Sequence, residues 1–236
     1  MKILGVESSA TSASVAVVEN GRVIACESSN TGLTHSQTLL PMVESTLKKA
    51  GVTVGEVDFV AVSNGPGSFT GIRIGVSLVK GLCDPLNKKC VAVSTLEAIA
   101  KPLEGTGVVA ASVMDARCNQ VYCALFDCKS GKMKRITEDE AISIDELTER
   151  LKMQNSKVLL IGDGANVCYG KMKDVLENVS IASSVIRYQS ASSVALIAEE
   201  LISENENNAI DAENLVPTYL RLSQAERELK KKQENN

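Results

Sequence analysis

Short apolar runs separated by turn-forming residues open the chain and predict three consecutive β-strands. The runs cover residues 3–6, 14–19 and 23–25, and the second is rich in valine, as strands often are. The dipeptide Asn20-Gly21 separates the second run from the third and favours the two-residue turn of a β-hairpin. The chain is therefore predicted to begin with a strand that is followed by a hairpin.

Two longer segments carry apolar residues at helical spacing and predict amphipathic helices. The first spans residues 36–50 and is followed by Gly51, a residue that often ends helices, while Pro41 predicts a short or kinked first turn. The second helix spans residues 70–83, after a glycine-rich loop. The apolar stripes of the two helices comprise Leu39, Leu40, Val43, Leu47, Ile72, Val76 and Val79.

The second half of the chain repeats the order of the first. Its first strand ends in Asp115 as the first strand of the chain ends in Glu7, and each is followed by a predicted hairpin, a helix and a strand. Two copies of one unit in so short a chain predict a duplicated α/β fold with mixed sheets. Further predicted elements are the strands 57–63, 91–93, 108–114, 121–126, 132–136 and 157–161 and the helices 95–101 and 144–153, with a turn at Ser130-Gly131 and an N-cap at Ser143.

These units predict a domain division. Residues 1–101 form the first lobe and residues 102–189 the second, while a helix at about 190–205 is expected to pack back on the first lobe. Residues 206–236 form a C-terminal segment that ends in a charged, flexible tail.

The composition of the chain excludes several classes of function. The chain has 236 residues, 44% of them apolar, and a net charge of −4, so it is expected to fold without help but not to bind nucleic acid unaided. The single histidine, His35, excludes a metalloprotease site that needs two imidazoles. Seven cysteines without a C-x-x-C pair predict buried free thiols, no metal site and a cytoplasmic protein. No apolar run has the length of about 18 residues that would indicate a membrane span.

The glycine-rich run from Asn64 to Gly75 is the most unusual stretch of the sequence. Its possible anion-binding or nucleotide-binding residues are Gly65, Gly67, Ser68, Thr70 and Arg73, with Thr70 as the predicted N-cap. A helix N-terminus can hold a phosphate, but a purely structural tight turn explains the same residues.

Gly71 and Gly75 lie four residues apart in the predicted second helix. Each glycine costs a helix about 1 kcal/mol relative to alanine. The spacing therefore predicts close approach of another backbone, which belongs either to the chain's own sheet or to a helix of another subunit.

Three further features leave alternatives open. The turn from Glu7 to Ser12 has no glycine, which makes it poorly suited to wrapping a phosphate as the equivalent turn does in kinases of the ASKHA superfamily (actin- and hexokinase-like proteins). The run Ile161-Gly-Asp-Gly-Ala165 is either a second nucleotide contact or an ordinary turn. His35 is expected to have a capping or interface role.

Several motifs, in order along residues 1–225, resemble the TsaB (YeaZ) family of bacterial tRNA threonylcarbamoyladenosine biosynthesis proteins. The most specific is the run Gly-Pro-Gly-Ser-Phe-Thr-Gly-Ile-Arg-Ile-Gly at 65–75. The others are Glu7-Ser-Ser, Ser14-Val-Ala-Val, His35-Ser, Leu40-Pro41, Met114-Asp-Ala-Arg117, Val121-Tyr122 and Pro217-Thr-Tyr-Leu-Arg221.

The resemblance implies a two-lobed ASKHA fold built from a duplicated ribonuclease-H-like unit. It also implies an accessory subunit without catalysis of its own, which supports the transferase TsaD, works with the ATPase TsaE and meets tRNA only through the complex. Members of the family lack the metal-binding histidine pair of TsaD, and no cofactor is expected on this chain alone, while ATP or ADP stays open for the assembled complex. Neither DNA nor a membrane is an expected partner.

The resemblance further implies an interface in which two helices pair with two helices of a similar subunit. This four-helix bundle is expected in a homodimer of the chain alone and in the heterodimer with TsaD. The expected interface residues are His35, Leu39, Leu40, Val43, Leu47, Gly71, Ile72, Gly75, Val76 and Val79. The competing interpretation is that these stripes face the chain's own sheet.

One different function stays open. A small ATPase or kinase of the ASKHA type that acts alone would share the fold. The turn at 118–120 reads Cys-Asn-Gln and departs from the family pattern, which leaves any contact there undecided.

Overall fold

A computed structural model describes residues 1–30, 34–129 and 131–222. They form two mixed β-sheets and six α-helices. The strands are β1 (Lys2–Glu7), β2 (Ala13–Glu19), β3 (Arg22–Ser29), β4 (Phe59–Gly65), β5 (Cys90–Ser94), β6 (Val109–Asp115), β7 (Gln120–Asp127), β8 (Lys134–Arg135), β9 (Glu140–Ser143), β10 (Val158–Ile161), β11 (Val179–Ile181) and β12 (Ala209–Ile210). The helices are α1 (His35–Ala50), α2 (Phe69–Cys83), α3 (Thr95–Ala100), α4 (Ile144–Lys152), α5 (Ala165–Met172) and α6 (Ala191–Glu204).

The two sheets share one topology. The first has the order β12-β5-β4-β1-β2-β3, and the second has the order β11-β10-β6-β7-β8, with β9 paired to β7. In each sheet the first strand of the unit is antiparallel to the next strand and parallel to the strand that follows the helix. This repetition confirms the predicted duplication of a mixed-sheet α/β unit.

The helices form three layers around the two sheets. Helices α1 and α2 cover the outer face of the first sheet, and α4 and α5 cover the outer face of the second. Helices α3 and α6 lie between the sheets and contribute Leu96, Ile99, Val194 and Ile197 to the central core. Each sheet is thus covered on both faces, as strands rich in buried valine require.

The last helix of each unit packs on the sheet of the other unit. Helix α6 contacts β1 and β2, and α3 contacts β6 and β7. The approach of α6 is close: a methyl group on Gly5 would lie 2.3 Å from the Ala191 carbonyl oxygen, and the Ala191 amide donates to the Ser14 hydroxyl over 2.8 Å. The two lobes therefore share one core.

Local sequence signals decide several element ends. Asn20 and Gly21 both have positive φ angles (50° and 74°), as the predicted hairpin turn requires. Gly51 ends α1 in the left-handed conformation at φ 68°, and the Ser143 hydroxyl caps α4 by accepting from the Glu146 amide over 3.0 Å. These three predictions are confirmed.

The structure corrects other local predictions. Helix α1 runs from His35 to Ala50 and includes Pro41, which is exposed, so its first turn is not shortened. The strand predicted at 132–136 is only two residues long, and the short strands β9, β11 and β12 were not predicted. Residue 130 of the predicted turn and the charged tail at 226–236 lie outside the described residues.

Candidate functional site

A cleft of about 610 Å³ opens between the lobes. Its walls come from the turn after β1, the loop before α2, the end of β6 and the chain segment that follows residue 217. The volume is in the range of small-molecule sites. Its polar and charged lining residues include Ser9, Thr11, Ser68, Thr70, Asp115, Arg117, Tyr122, Asp163 and Arg221.

Glu7, at the end of β1, is not among the residues that line this cleft. It is fully buried and accepts hydrogen bonds from the Ser9 amide at 2.6 Å, from the Ser9 hydroxyl at 2.5 Å and from the Ser63 hydroxyl. Burial raises the pKa of Glu7 above its ordinary value, and the bonds from Ser63 and Ser9 oppose that rise. The side chain therefore fixes the turn that follows β1.

The glycine-rich loop is shaped by contacts within the chain. Gly65 and Gly67 have φ angles of 135° and 156°, and a methyl group on them would lie 2.2 Å from the Thr218 carbonyl oxygen and 2.4 Å from the Ser9 carbonyl oxygen. Only glycine combines such angles with such close approach. These contacts account for both glycines without an anion.

The N-cap of α2 is Ser68, whose hydroxyl accepts from the Gly71 amide over 3.2 Å. The prediction of Thr70 as the cap is wrong, because the helix begins at Phe69 and Thr70 lies inside its first turn. Arg73 does not point to a free helix end: its guanidinium lies 3.9 Å from the centroid of the Phe69 ring and donates through Nε to the Tyr219 hydroxyl over 2.8 Å.

Two acidic side chains lie on the second-lobe side of the cleft. Burial raises the pKa of Asp163, and the charge of Asp115 acts in the same direction. Asp163 accepts from the Gln189 side-chain amide over 3.1 Å, and Asp115 accepts from the Arg117 amide over 2.8 Å. In the turn after β6, Arg117, Cys118 and Asn119 all have positive φ angles, which are uncommon for residues other than glycine. The unexpected sequence Cys-Asn-Gln at 118–120 therefore begins within this left-handed stretch.

A second concave surface, the α1–α2 groove, lies between the two helices on the outer face of the first lobe. Its volume is about 680 Å³, and its lining is largely apolar. The lining residues are His35, Ser36, Leu39, Leu40, Phe69, Thr70, Arg73, Ile74, Ser77 and Leu78.

The structure corrects most of the expected interface. Both helical stripes pack on the outer face of the chain's own first sheet. Each stripe is the most apolar face of its helix, and a helix buries that face against the core. The buried members are Leu39, Val43, Leu47, Ile72, Val76 and Val79. Gly71 and Gly75 are also buried, against Ser8.

Leu40 is the member of the expected set whose side chain stays exposed, at 47%. It lines the groove together with Ile74 and Leu78, which are partly buried against the core. These last two residues were missed, because a helical pattern shows one strong stripe and hides the weaker face beside it.

His35 lies at the first residue of α1, half-buried beside the groove. Its Nε2 lies 2.7 Å from the Ala10 carbonyl oxygen, and because that oxygen can only accept, Nε2 is the donor. His35 thus ties α1 to the turn after β1.

Two features are absent from the part of the chain that the structure describes. Residues 1–30, 34–129 and 131–222 contain no cluster of three or more His, Cys, Asp or Glu side chains that could hold a metal ion. No helix in those same ranges combines the length and the apolar character needed to cross a bilayer.

Comparison with known proteins identifies the family. Residues 29–229 match the family model described as TsaD, tRNA N6-adenosine threonylcarbamoyltransferase. The chain is 30% identical over 227 residues to the tRNA threonylcarbamoyladenosine biosynthesis protein TsaB of Bacillus subtilis (strain 168), and this match covers 96% of each chain.

Solved structures agree with the sequence matches. A Pseudomonas aeruginosa protein described as similar to peptidase YEAZ superposes with a TM-score of 0.80 at 27% identity, over 93% of this chain and 99% of the other. A putative N-acetylmannosamine kinase from Listeria monocytogenes superposes with a TM-score of 0.51 at 12% identity, over 87% of this chain and 100% of the other, and shows the shared ASKHA fold. The two-lobed architecture and the near full-length sequence match together show that this chain belongs to the TsaB (YeaZ) family of tRNA threonylcarbamoyladenosine biosynthesis proteins.

Proposed function

We propose that this chain is the accessory platform subunit of a tRNA threonylcarbamoyladenosine synthesis complex. In this role it binds a transferase of the TsaD family and supports it without catalysing the transfer itself. The chain works in the cytoplasm, where TsaE and tRNA join it through the complex. In the absence of the transferase, two copies of the chain pair with each other. The family membership supports the pathway, and the α1–α2 groove supports the binding role.

The observation that carries this proposal is the exposed Leu40 above a largely apolar groove. A leucine that is 47% exposed, beside the partly buried Ile74 and Leu78, forms an apolar surface that a partner can cover. Two helices side by side present grooves into which the side chains of two similar helices pack. The match to the TsaD family model supports a transferase with helices of the same kind.

The state of Glu7 and Arg73, two of the side chains considered for phosphate chemistry, supports the absence of independent catalysis. Glu7 is buried and fully engaged with Ser9 and Ser63, and Arg73 is held by Phe69 and Tyr219. Neither group is free to hold a phosphate or to activate water. We therefore place any bound ATP or ADP in the assembled complex.

Binding to a purified TsaD-family transferase tests the proposed surface. Leu40→Glu puts a charge into the groove, which a dry interface would leave unpaired, while the exposed position preserves the fold. We expect at least a tenfold weaker complex by isothermal titration calorimetry, with an unchanged melting temperature. Val185→Glu, at a valine that is 88% exposed and outside the groove, is the matched control and should bind as the wild type does. Equal binding by Leu40→Glu would place the interface elsewhere.

Hydrolysis of ATP by the isolated chain separates this function from that of a lone ATPase or kinase. We expect no turnover above the buffer rate, with or without magnesium. Steady, magnesium-dependent turnover by the purified chain would favour the lone enzyme instead.

A further inference from the structure

Residues 216–222 cross from one lobe to the other without forming a helix or a strand. The Thr218 amide donates to the Asn64 carbonyl, near the end of β4, over 2.7 Å. The Asn64 side-chain amide in turn donates to the Val216 carbonyl at 3.1 Å and to the Thr218 hydroxyl at 3.0 Å. The first end of this segment is thus anchored to the first sheet.

The middle of the segment is anchored to α2. The Tyr219 ring stacks on the Phe69 ring, with centroids 4.5 Å apart and planes at 26°. The Arg73 guanidinium covers the Phe69 ring and donates to the Tyr219 hydroxyl. Stacking and a cation–π contact each add to the burial of such rings.

The far end of the segment is anchored to the second lobe. Nη1 of Arg221 donates to the Ala116 carbonyl over 2.7 Å, and Ala116 directly follows β6. A hydrogen bond from a guanidinium is stronger than one between neutral groups. Because residues 218–222 also line the cleft, the segment closes one side of it.

Two of the anchoring side chains belong to the α1–α2 groove as well. Phe69 and Arg73 line the groove, whereas Tyr219 and Arg221 do not. A partner in the groove therefore contacts the same guanidinium that holds Tyr219. Once the partner has ordered Arg73, closing the segment onto it costs less conformational entropy.

We propose that residues 216–222 are a strap that holds the two lobes together across the cleft, and that a subunit bound in the α1–α2 groove tightens this strap through Arg73. The tightening rests on the proposed function, whereas the strap itself does not. Since coupling between two equilibria is reciprocal, a closed strap also strengthens binding in the groove by the same factor.

Hydrogen–deuterium exchange of the full chain alone tests the strap. Tyr219→Ala and Arg221→Ala each remove one anchor outside the groove, and we expect exchange of the hydrogen-bonded amides of Thr218, Ala116 and Gln120 to rise about tenfold. Tyr188→Ala and Arg22→Ala are the matched controls, because these exposed residues lie outside the cleft lining, and they should exchange as the wild type does.

Tyr219→Phe keeps the ring stack and removes only the hydrogen bond from Arg73, so we expect an increase in exchange smaller than that of Tyr219→Ala. This variant tests the strap even if the alanine variants fold poorly. Wild-type protection in both Tyr219→Phe and Arg221→Ala would overturn the strap.

Adding the TsaD-family transferase tests the tightening. We expect slower exchange of the Thr218, Ala116 and Gln120 amides in the wild type, and a Kd for Tyr219→Ala that is weaker by the same factor, although Tyr219 lies outside the groove. If the transferase binds wild type and Tyr219→Ala equally and leaves exchange unchanged, the tightening is wrong and the proposed function stands. If the transferase does not bind the wild type, the proposed function and the tightening both fail, and the exchange of the chain alone still decides the strap.

Discussion

The hydroxyl of Ser8 donates a hydrogen bond to the carbonyl of Gly71 over 2.9 Å, so the turn after β1 lies directly on the backbone of α2. A methyl group on Gly71 would lie 2.1 Å from the Ser8 carbonyl oxygen, and one on Gly75 would lie 2.4 Å from the Ser8 hydroxyl. The glycine spacing predicted that another backbone lies close to α2, and that backbone is the chain's own turn after β1. A helix of another subunit is not needed to explain these two glycines.

Gly71→Ala is expected to destabilise the protein. The added methyl group meets backbone at 2.1 Å, and overpacking of this kind costs about 1–3 kcal/mol. Gly81→Ala, in the same helix and with nothing within 4 Å of the added atom, is expected to stabilise by about 0.5–1 kcal/mol through helix propensity. Urea unfolding of both variants measures the difference, and a loss of the same size in Gly81→Ala would contradict this explanation.

Charges in the buried stripes are expected to unfold the chain rather than to separate subunits. Val76 and Leu47 are 4% and 7% exposed, and an unpaired charge at such a position costs several kcal/mol, about 3–5 in measured cases. Far-ultraviolet circular dichroism should show loss of helix in Val76→Glu and Leu47→Glu, while Leu40→Glu keeps the wild-type spectrum. A folded, monomeric Val76→Glu protein would contradict the burial of this stripe and favour its expected role in a subunit interface.

The stability of the protein should depend on the ionisation of Glu7. Burial raises its pKa in the folded state, whereas the unfolded chain titrates near the ordinary value of about 4.3. As the pH rises above that value the unfolded chain releases its proton first, so this group's contribution to the free energy of unfolding falls as the pH rises through the folded pKa.

The neutral variant Glu7→Gln removes this dependence. Its stability relative to the wild type should increase as the pH rises above about 4.3, the ordinary value, as measured by urea midpoints at a series of pH values. Glu44→Gln removes the same charge from an exposed position of α1 and serves as the control. A relative stability of Glu7→Gln that stays constant or declines with pH would show that the carboxylate is ionised in the folded protein.

The thiols should divide into two classes. Cys26 and Cys118 are exposed, whereas the other five cysteines are buried, and burial raises the pKa values of Cys123 and Cys168 to about 12. Titration with an aromatic disulfide reagent should therefore modify two thiols in the native protein and seven after unfolding. The slower of the two should be Cys26, because partial removal of its thiol from water and the charge of Glu27 raise its pKa. Modification of more than two native thiols would contradict the packing of these cores.

Local patterns predicted the fold well because the deciding signals lie close together in the sequence. The dipeptide Asn20-Gly21, the helix end at Gly51 and the cap at Ser143 each act within a few residues. The duplicated order of elements then followed, because few arrangements of such units bury both faces of two sheets.

The candidate site was harder to predict, since its residues meet over long separations in sequence. The stripes on α1 and α2 were recognised, but periodicity cannot say whether a sheet or a partner covers them. The contact of Arg73 with Tyr219 spans 146 residues, and only the motif at 217–221 drew attention to that end of the chain.

The amount of threonylcarbamoyladenosine in tRNA tests the central claim most directly. The protein is depleted in its own cells, and the modified nucleoside is measured by mass spectrometry of digested total tRNA. We expect the level to fall and to recover on expression of the wild type or Val185→Glu, but not of Leu40→Glu. An unchanged level after depletion would contradict a role in this modification, and full recovery with Leu40→Glu would contradict a role that depends on the α1–α2 groove.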